Sequence, residues 1–378
     1  DVRVIAFPAS KETAVLSSGR VALSPLSGKP AGIDFSSATD FTLRSVRVYP
    51  SEKAIEAEAR LWVKEKNQYR LLSEFSISRF NPALNVGFEP YAPVVISVPA
   101  TVGRNFRLEL EPATGKYELE NIELLSQPLV ERYPEKLLAK MYQTPLPYWK
   151  EYQWREQPVL DDASLAIDPK QVLDISACLK GDRLEWDAPA GDWTVMRMGM
   201  CPTGVTNSPA DPEATGLETD KMSRKHIEAH FEALMGEICR RIPEADRKSW
   251  KVVVQDSYET GGQNFTDDFL ESFRQRYGYD PLPFLPAYKG YVIDSRDRTD
   301  RFLWDMRRLV ADRIAYDYVG GLRDISHKYG LHTWLENYGH WGFPGEFLQY
   351  GGQSDEISGE FWSFGDLGVI ENRCASSC

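Results

Sequence analysis

Two carboxylates directly follow a short apolar run in residues 252–259, VVVQDSYE. The run predicts a buried β-strand, so Asp256 and Glu259 should lie in the loop at its carboxyl end. A loop acid can also cap the next helix, but Thr266 and the two aspartates after it are expected to supply that cap. Carboxyl groups in such loops suit general acid–base chemistry. We therefore predict a chemical role here, with Glu259 as the catalytic candidate and Asp256 as a residue that binds the substrate, together with the residues of the next segment.

A second predicted strand leads into Glu336 and Asn337 within residues 334–341, WLENYGHW. Carboxylate and amide groups can bind pairs of hydroxyls, and the flanking rings offer apolar faces for stacking. We predict that Glu336, Asn337, His340 and Trp341 bind a substrate. An ordinary polar loop with buried tryptophans would have the same composition.

Three acids lie within six residues in the segment 353–362, QSDEISGEFW. Crowded carboxylates repel one another unless one is protonated or a cation lies between them. Oxygen ligands of this kind suit Ca²⁺, although the spacing differs from an EF-hand loop. We predict that Asp355 and Glu360 bind calcium and that Trp362 forms a stacking platform for the substrate.

The elements that would position these residues alternate between strand and helix. Strands are predicted at 193–198, 251–255, 332–335 and 356–359, with further strand ends near 369–371, and helices at 220–241, 267–277 and 299–329. Such alternation is typical of an α/β fold with parallel strands. Because no glycine-rich dinucleotide motif follows a strand, we favour a (β/α)8-type barrel over a doubly wound sheet. Residues 190–378 are fewer than the roughly 250 of a complete barrel, so the barrel is expected to be incomplete in this chain.

The rest of the chain is predicted to be mostly β-structure. Residues 1–125 contain short alternating runs separated by Gly, Pro, Asn and Ser, which is typical of a β-sandwich. Residues 126–189 form a connector rich in proline and aromatic residues, with short strands near its end. Three regions result: a sandwich-like module (1–125), the connector (126–189) and the barrel (190–378), whose last strands are expected to be missing.

Composition excludes several classes of partner. The formal net charge of −12 disfavours nucleic acid and anionic membranes. Five cysteines in 378 residues do not form a disulfide framework. His226 and His230 have the spacing of a zinc-binding pair on a helix, but the order of residues between them differs from that of metalloproteases. The glycosylation sequon at Asn264 lies in the predicted active-site loop, and we do not expect a glycan there.

Several strings in the same order resemble glycoside hydrolase family 106, the α-L-rhamnosidases. They are 193–199 (WTVMRMG), 216–223 (GLETDKMS), 256–259 (DSYE), 263–266 (QNFT), 276–280 (RYGYD) and 374–377 (CASS). The resemblance is strong from about residue 170 onward and looser before it. Family members are much longer than 378 residues, so this sequence is expected to be part of a longer enzyme.

The resemblance implies a barrel with β-sandwich modules and an inverting enzyme that releases terminal α-L-rhamnose from pectic polysaccharides such as rhamnogalacturonans. It assigns the general acid to Glu259 and implies a Ca²⁺ ion that helps to hold the sugar. It places the general base on a strand beyond Cys378, which leaves Glu336 and Glu360 as substrate or calcium contacts. For such a substrate we expect a secreted or periplasmic protein.

Two other interpretations remain open at this stage. One is a different barrel glycosidase, possibly retaining, whose acid and nucleophile are among Glu259, Glu336 and Glu360; the separation of the carboxyl groups distinguishes the two mechanisms. The other is a carbohydrate-binding protein with a degenerate barrel, which an exposed Glu259 remote from any cleft would favour.

Overall fold

The protein is described by a computed structural model that covers residues 2–23, 30–112, 117–141, 154–337, 343–359 and 370–378. Its strands are β1 Arg3–Pro8, β2 Val15–Ser17, β3 Val21–Leu23, β4 Ala31–Pro50, β5 Ile55–Glu65, β6 Gln68–Arg79, β7 Val94–Pro112, β8 Tyr117–Leu125, β9 Leu173–Asp174, β10 Leu179–Lys180, β11 Arg183–Leu184, β12 Trp193–Met198, β13 Val252–Gln255, β14 His332–Glu336 and β15 Glu356–Ser358. Its α-helices are α1 Tyr133–Lys136, α2 Arg224–Phe231, α3 Glu237–Arg241, α4 Phe269–Tyr277, α5 Arg296–Arg313, α6 Gly320–Lys328, α7 Phe347–Gly351 and α8 Ile370–Ser377. No helix in these ranges is both long and apolar enough to span a bilayer.

Strands β2 to β8 form one antiparallel sheet of seven strands. The alternation of buried and exposed residues along β5 shows why: apolar side chains at every second position face the same core. The long strands β4 and β7 run through the whole sheet, and their pairing shifts register twice. Side chains from β4, β5, β6, β7 and β8 share a single apolar cluster. Within the region predicted as sandwich-like, strands β2 to β8 therefore form one hydrogen-bonded sheet with its own apolar core.

The first strand pairs outside this sheet. β1 is antiparallel to β12, from the pair Arg3 and Met198 to the pair Pro8 and Trp193, and its other edge pairs with β9. The sequence analysis assigned β1 to the N-terminal module and β12 to the barrel, and the structure joins the two. Alternating polarity predicts each strand but does not identify its partner, which explains the difference.

Buried charges hold the described part of the connector against the antiparallel sheet. Helix α1 is buried along its whole length. Its Glu135 accepts a hydrogen bond from Arg79 of β6 at 2.8 Å, and both side chains are almost completely inaccessible to solvent. Lys136 pairs with Asp300 of α5 at 2.6 Å. Because buried charges require partners, these pairs fix α1 between β6 and α5.

Strands β13, β14 and β15 form a parallel sheet in that order, and the sequence analysis had predicted parallel strands in these segments. Helices cover one face: Val253 of β13 packs with Phe231 of α2 and Ile325 of α6. The predicted helices 220–241 and 299–329 begin instead at Arg224 and Arg296, because Ser223 and Ser295 cap them, and each contains a π-helical turn, at Glu232–Gly236 and Ile314–Val319. A strand end was predicted near 369–371, but residues 370 and 371 belong to α8, which lies next to α7, and residue 369 lies outside the described residues.

In the part of the chain that the structure describes, the other face of the parallel sheet is exposed at β13. Val254 is 64% exposed although it lies on the middle of β13. Within the described residues, three parallel strands and their helices do not close a barrel. The mixed strand and helix architecture of the prediction is present, and the closed (β/α)8 barrel stays a prediction.

Candidate active site

Two carboxyl groups meet at the carboxyl edge of the parallel sheet. Asp256 directly follows β13, and Glu336 is the last residue of β14. Because Gln255 pairs with Leu335 across the two strands, the next residues along each strand lie side by side. Their carboxyl groups lie within hydrogen-bonding reach of each other. The sequence analysis predicted that both residues belong to one site, and the structure brings them together.

The hydrogen bond from Glu336 is the main reason why the pKa of Asp256 lies below its usual value, and the backbone N–H of Ser257, 2.7 Å from Oδ1, contributes to the same shift. A hydrogen bond between two carboxyl groups requires one proton. The two carboxyl groups therefore titrate as a pair that can share one proton. Groups in such contact are closer than the roughly 5 Å or more that separates the two catalytic carboxyls of glycosidases. The pair is therefore better suited to bind hydroxyls than to act as the catalytic acid and its partner.

Glu259 lies on the same loop and is exposed to solvent. Between it and Asp256, Tyr258 turns inward and is only 1% exposed. The hydroxyl of Tyr258 donates to the carbonyl of Gly261 at 2.8 Å, and its ring meets Tyr318 and Tyr350 edge-on. This buried side chain anchors the loop, so its acids remain at the surface in a fixed position.

Two glycines allow the loop to approach the N-terminal half of the chain. Gly261 has a φ of +68°, and a Cβ atom there would lie 2.5 Å from the carbonyl oxygen of Asn85. At Gly262 a Cβ atom would lie 2.2 Å from the carbonyl oxygen of Leu138. Both distances are shorter than real Cβ contacts. The glycines therefore serve close packing of the active-site loop.

The loop faces a cavity of about 950 Å³. Asp256, Glu259 and Glu336 line it, so all three predicted acids near this edge share one space. The π-helical turns contribute Leu234 and Tyr318 to its wall. Such turns often occur at functional sites because they redirect side chains. Glu259 thus lies on a cleft, which argues against the alternative of a binding protein in which Glu259 is remote from any cleft.

Sequence reasoning missed two charged groups in this cavity, Glu218 and Lys221. Lys221 lines the cavity but is only 6% exposed. Its ammonium group is 2.6 Å from Glu218 and lies 5.1 Å from the ring centre of Tyr318. The string at 216–223 already contained both Glu218 and Lys221, but no strand precedes it, so the search for acids after strands passed over it.

Asp220 joins two of the strings noted in the sequence. Its carboxylate accepts hydrogen bonds from the hydroxyl of Thr266 at 2.6 Å and from the backbone N–H of Met222 at 2.9 Å, and the side chain of Gln263 also donates to it. Thr266 was expected to cap α4, but its hydroxyl is engaged here instead. The amide of Asn264 donates to the carbonyl of Leu137 at 2.8 Å, so this sequon side chain has a structural partner.

Asn337 was predicted to bind substrate, and its placement contradicts that role. The residue is fully buried, and its amide nitrogen donates to the carbonyl of Phe347 at 3.1 Å. Along a strand, successive side chains point to opposite faces. With Glu336 facing the cavity, Asn337 is turned into the core beside α7.

Of the residues predicted in the segment 353–362, the structure places only some. Asp355 precedes β15, and its Oδ2 accepts a hydrogen bond from the backbone N–H of Thr333, near the start of β14, at 2.8 Å. In a parallel sheet this is the amino edge, opposite the carboxyl pair, so Asp355 does not join the cavity. Glu360, His340, Trp341 and Trp362 lie outside the described residues. The calcium ion therefore stays a prediction.

A cavity lined with acids at the carboxyl edge of parallel strands that alternate with helices is the arrangement of barrel glycoside hydrolases. The comparisons with known proteins agree. The chain belongs to glycoside hydrolase family 106, because the family model described as alpha-L-rhamnosidase matches residues 1–377.

One solved structure and one curated protein illustrate the relationship. The rhamnosidase from Novosphingobium sp. PP1Y superposes with a TM-score of 0.73 and 25% identity over 94% of this chain and 34% of that chain. A Formosa agariphila protein, provisionally named beta-glucuronidase, is 36% identical over 200 residues, which are 53% of this chain and 17% of that protein. The chain thus spans about a third of the solved rhamnosidase and a sixth of the curated relative.

Proposed function

We propose that this chain belongs to an inverting, exo-acting α-L-rhamnosidase and that Glu259 is its general acid. The observation that carries the proposal is the position of Glu259 on the acidic cavity, in a loop anchored by Tyr258. From there the side chain can protonate the oxygen of a departing sugar or polysaccharide. Membership of the rhamnosidase family supports rhamnose as the sugar released.

The hydrogen-bonded carboxyl pair has a different task in this proposal. Asp256 accepts a hydrogen bond from one sugar hydroxyl, and Glu336 exchanges its contact with Asp256 for a neighbouring hydroxyl. Charge-assisted hydrogen bonds of this kind fix the orientation of a sugar ring. The general base then comes from outside the described residues, on a later strand of the longer enzyme.

The longer enzyme is proposed to complete the barrel. Strands β13, β14 and β15 are three neighbouring strands of this barrel. The exposed face around Val254 becomes the barrel interior when the remaining strands complete the sheet. A Ca²⁺ ion near the sugar, a pectic rhamnogalacturonan substrate and a secreted or periplasmic location also belong to the proposal.

One competing substrate has a specific observation in its favour. Lys221 places a buried ammonium group on the wall of the cavity, and a cation there could bind the carboxylate of a uronic acid. The relative from Formosa agariphila carries the name of a glucuronidase. The rhamnoside is preferred because the ammonium group of Lys221 is already paired with Glu218 at 2.6 Å.

The test measures release of p-nitrophenol from p-nitrophenyl α-L-rhamnoside and from the β-glucuronide, and of rhamnose from pectic oligosaccharides. The samples are the full-length enzyme, its Glu259→Gln variant and Glu244→Gln, which alters an exposed acid that does not line the cavity. Loss of a general acid should lower kcat by about 10²- to 10⁴-fold for Glu259→Gln alone.

Four outcomes would contradict parts of the proposal. Full activity of Glu259→Gln removes the acid assignment. Hydrolysis of the glucuronide but not of the rhamnoside would show that the enzyme releases glucuronic acid instead of rhamnose. Nuclear magnetic resonance of the first-formed sugar anomer reports the stereochemistry, and retention would refute the inverting mechanism. Activity that survives EDTA would remove the need for calcium.

A further inference from the structure

Three possible metal ligands converge at the amino edge of the parallel sheet, away from the cavity. His327 is in the last turn of α6, His332 is the first residue of β14, and Asp355 directly precedes β15. One ligand atom from each lies within 4.8 Å of the others. Two of the five histidines of the sequence thus meet one carboxylate, although the three residues come from separate elements.

The carboxylate of Asp355 is held in place by a buried neighbour. Its Oδ2 accepts hydrogen bonds from the backbone N–H of Thr333 at 2.8 Å and from the hydroxyl of Thr333 at 3.1 Å. The backbone N–H of Asp355 donates back to that hydroxyl at 3.2 Å, and Thr333 is completely buried. Metal-binding carboxylates are commonly oriented by such outer partners, and the second oxygen of Asp355, Oδ1, lies 2.9 Å from Nε2 of His327.

We propose that His327, His332 and Asp355 bind one divalent transition-metal ion such as Zn²⁺. Two imidazoles and a carboxylate suit Zn²⁺, Co²⁺ or Ni²⁺ better than Ca²⁺, which prefers oxygen ligands alone. Water supplies the remaining position of a tetrahedral ion. Asp355 thus belongs to a different site, and to a different metal, from the calcium site predicted from the sequence.

The geometry needs only a small adjustment. With metal–ligand bonds of about 2.0–2.1 Å, two tetrahedral ligands are about 3.4 Å apart. Nε2 of His327 is 2.9 Å from both oxygens of Asp355, and the widest separation in the group is 4.8 Å. Both histidines are exposed, so their rings can rotate without repacking the core.

The bound ion would join the end of α6 to the starts of β14 and β15. The carboxyl end of a helix also attracts positive charge, which favours a cation beside His327. These contacts lie at the amino edge of the sheet, and residues at that end of a barrel contribute to stability rather than to catalysis. The ion should therefore raise the melting temperature, and the inference does not depend on the glycosidase activity.

Isothermal titration of chelator-treated protein with ZnCl₂ is the first test, and the absorption of bound Co²⁺ in the visible range is the second. We expect one strong equivalent and a rise in melting temperature of about 2–4 °C at a hundredfold excess over Kd. His332→Gln should weaken binding at least tenfold. The ring of His332 is exposed, and its backbone N–H, which donates to the carbonyl of Lys251 at 2.9 Å, is kept in the variant.

Two control variants address the other places where zinc could bind. One is His226→Gln with His230→Gln, and the other is Cys374→Ser with Cys378→Ser; both should bind zinc as the parent does. Asp355→Asn keeps an acceptor for Thr333 but removes the negative charge, so it should weaken binding like His332→Gln. The proposal is refuted if the parent gives no binding signal, or if binding survives His332→Gln and Asp355→Asn and is lost in a control.

Discussion

The contact between the active-site loop and the connector can be tested with one added methyl group. Gly262 lies three residues after Glu259, and a Cβ atom there would be 2.2 Å from the carbonyl oxygen of Leu138. Leu138 cannot easily yield, because it has a positive φ of 61° and its N–H donates to Glu135 at 3.1 Å. In Gly262→Ala the loop itself must therefore move.

The size of the movement follows from the contact. Ordinary Cβ contacts begin at 3.4 Å, so the loop has to shift by about 1 Å. Overpacking of this kind costs about 1–3 kcal/mol of the free energy of unfolding. A misplacement of about 1 Å at a catalytic group can lower kcat/KM by about 10²-fold.

Gly199→Ala is the matched control, because a Cβ atom there meets nothing within 4 Å. Urea denaturation gives the free energy of unfolding for both variants, and rhamnoside hydrolysis by the full-length enzyme gives kcat/KM. Equal stability of the two variants would refute the packing of this loop against Leu138. A less stable Gly262→Ala with unchanged kcat/KM would show that the loop does not position Glu259.

Three further predictions concern charged groups. Glu336→Gln can still donate to Asp256, so its kcat/KM should exceed that of Glu336→Leu by about 10-fold, and equal rates would contradict the hydrogen-bond role. Burial would raise the pKa of Glu135, but Arg79 and a second arginine reverse the effect and lower it. The protein should therefore lose stability as this carboxyl is protonated below about pH 4. Glu135→Gln should cost about 3–5 kcal/mol of the free energy of unfolding and should remove this pH dependence. An unchanged urea midpoint of the variant would contradict the prediction. Burial lowers the pKa of Lys140 to about 8, so the free energy of unfolding should rise between pH 8 and 10. Lys140→Met should abolish this rise. A parent protein without the rise would show that the ammonium group is solvated.

The sequence predicted the acids at the carboxyl edge of the sheet because the patterns that specify this edge are local in the chain. The run of valines before Asp256 and the strand before Glu336 each specify a buried parallel strand, and parallel strands bring their carboxyl ends together. Strand direction also separates Asp355 from that pair, because Asp355 precedes its strand whereas Glu336 ends one. Treating all three acidic segments as equivalent overlooked this distinction.

Other features depended on contacts between distant residues. The pairing of β1 with β12 joins residues almost 200 positions apart, and neither strand carries a mark of its partner. Asn337 resembled a sugar ligand by composition, yet alternation after Glu336 turned it inward. The role of Gly262 could not be inferred either, because the atom that excludes a side chain belongs to Leu138.

The β1–β12 pairing has a consequence for how the molecule can be divided. A cut near residue 190 would strip β12 of its partner, and removal of the first 141 residues would also take away Asn85 and Leu138, against which the loop of Glu259 is seated. The N-terminal sheet and the loop of Glu259 should consequently unfold as one cooperative unit. For protein engineers, this β-module is a poor candidate for exchange between glycosidases, even though its sequence resembles a detachable accessory domain.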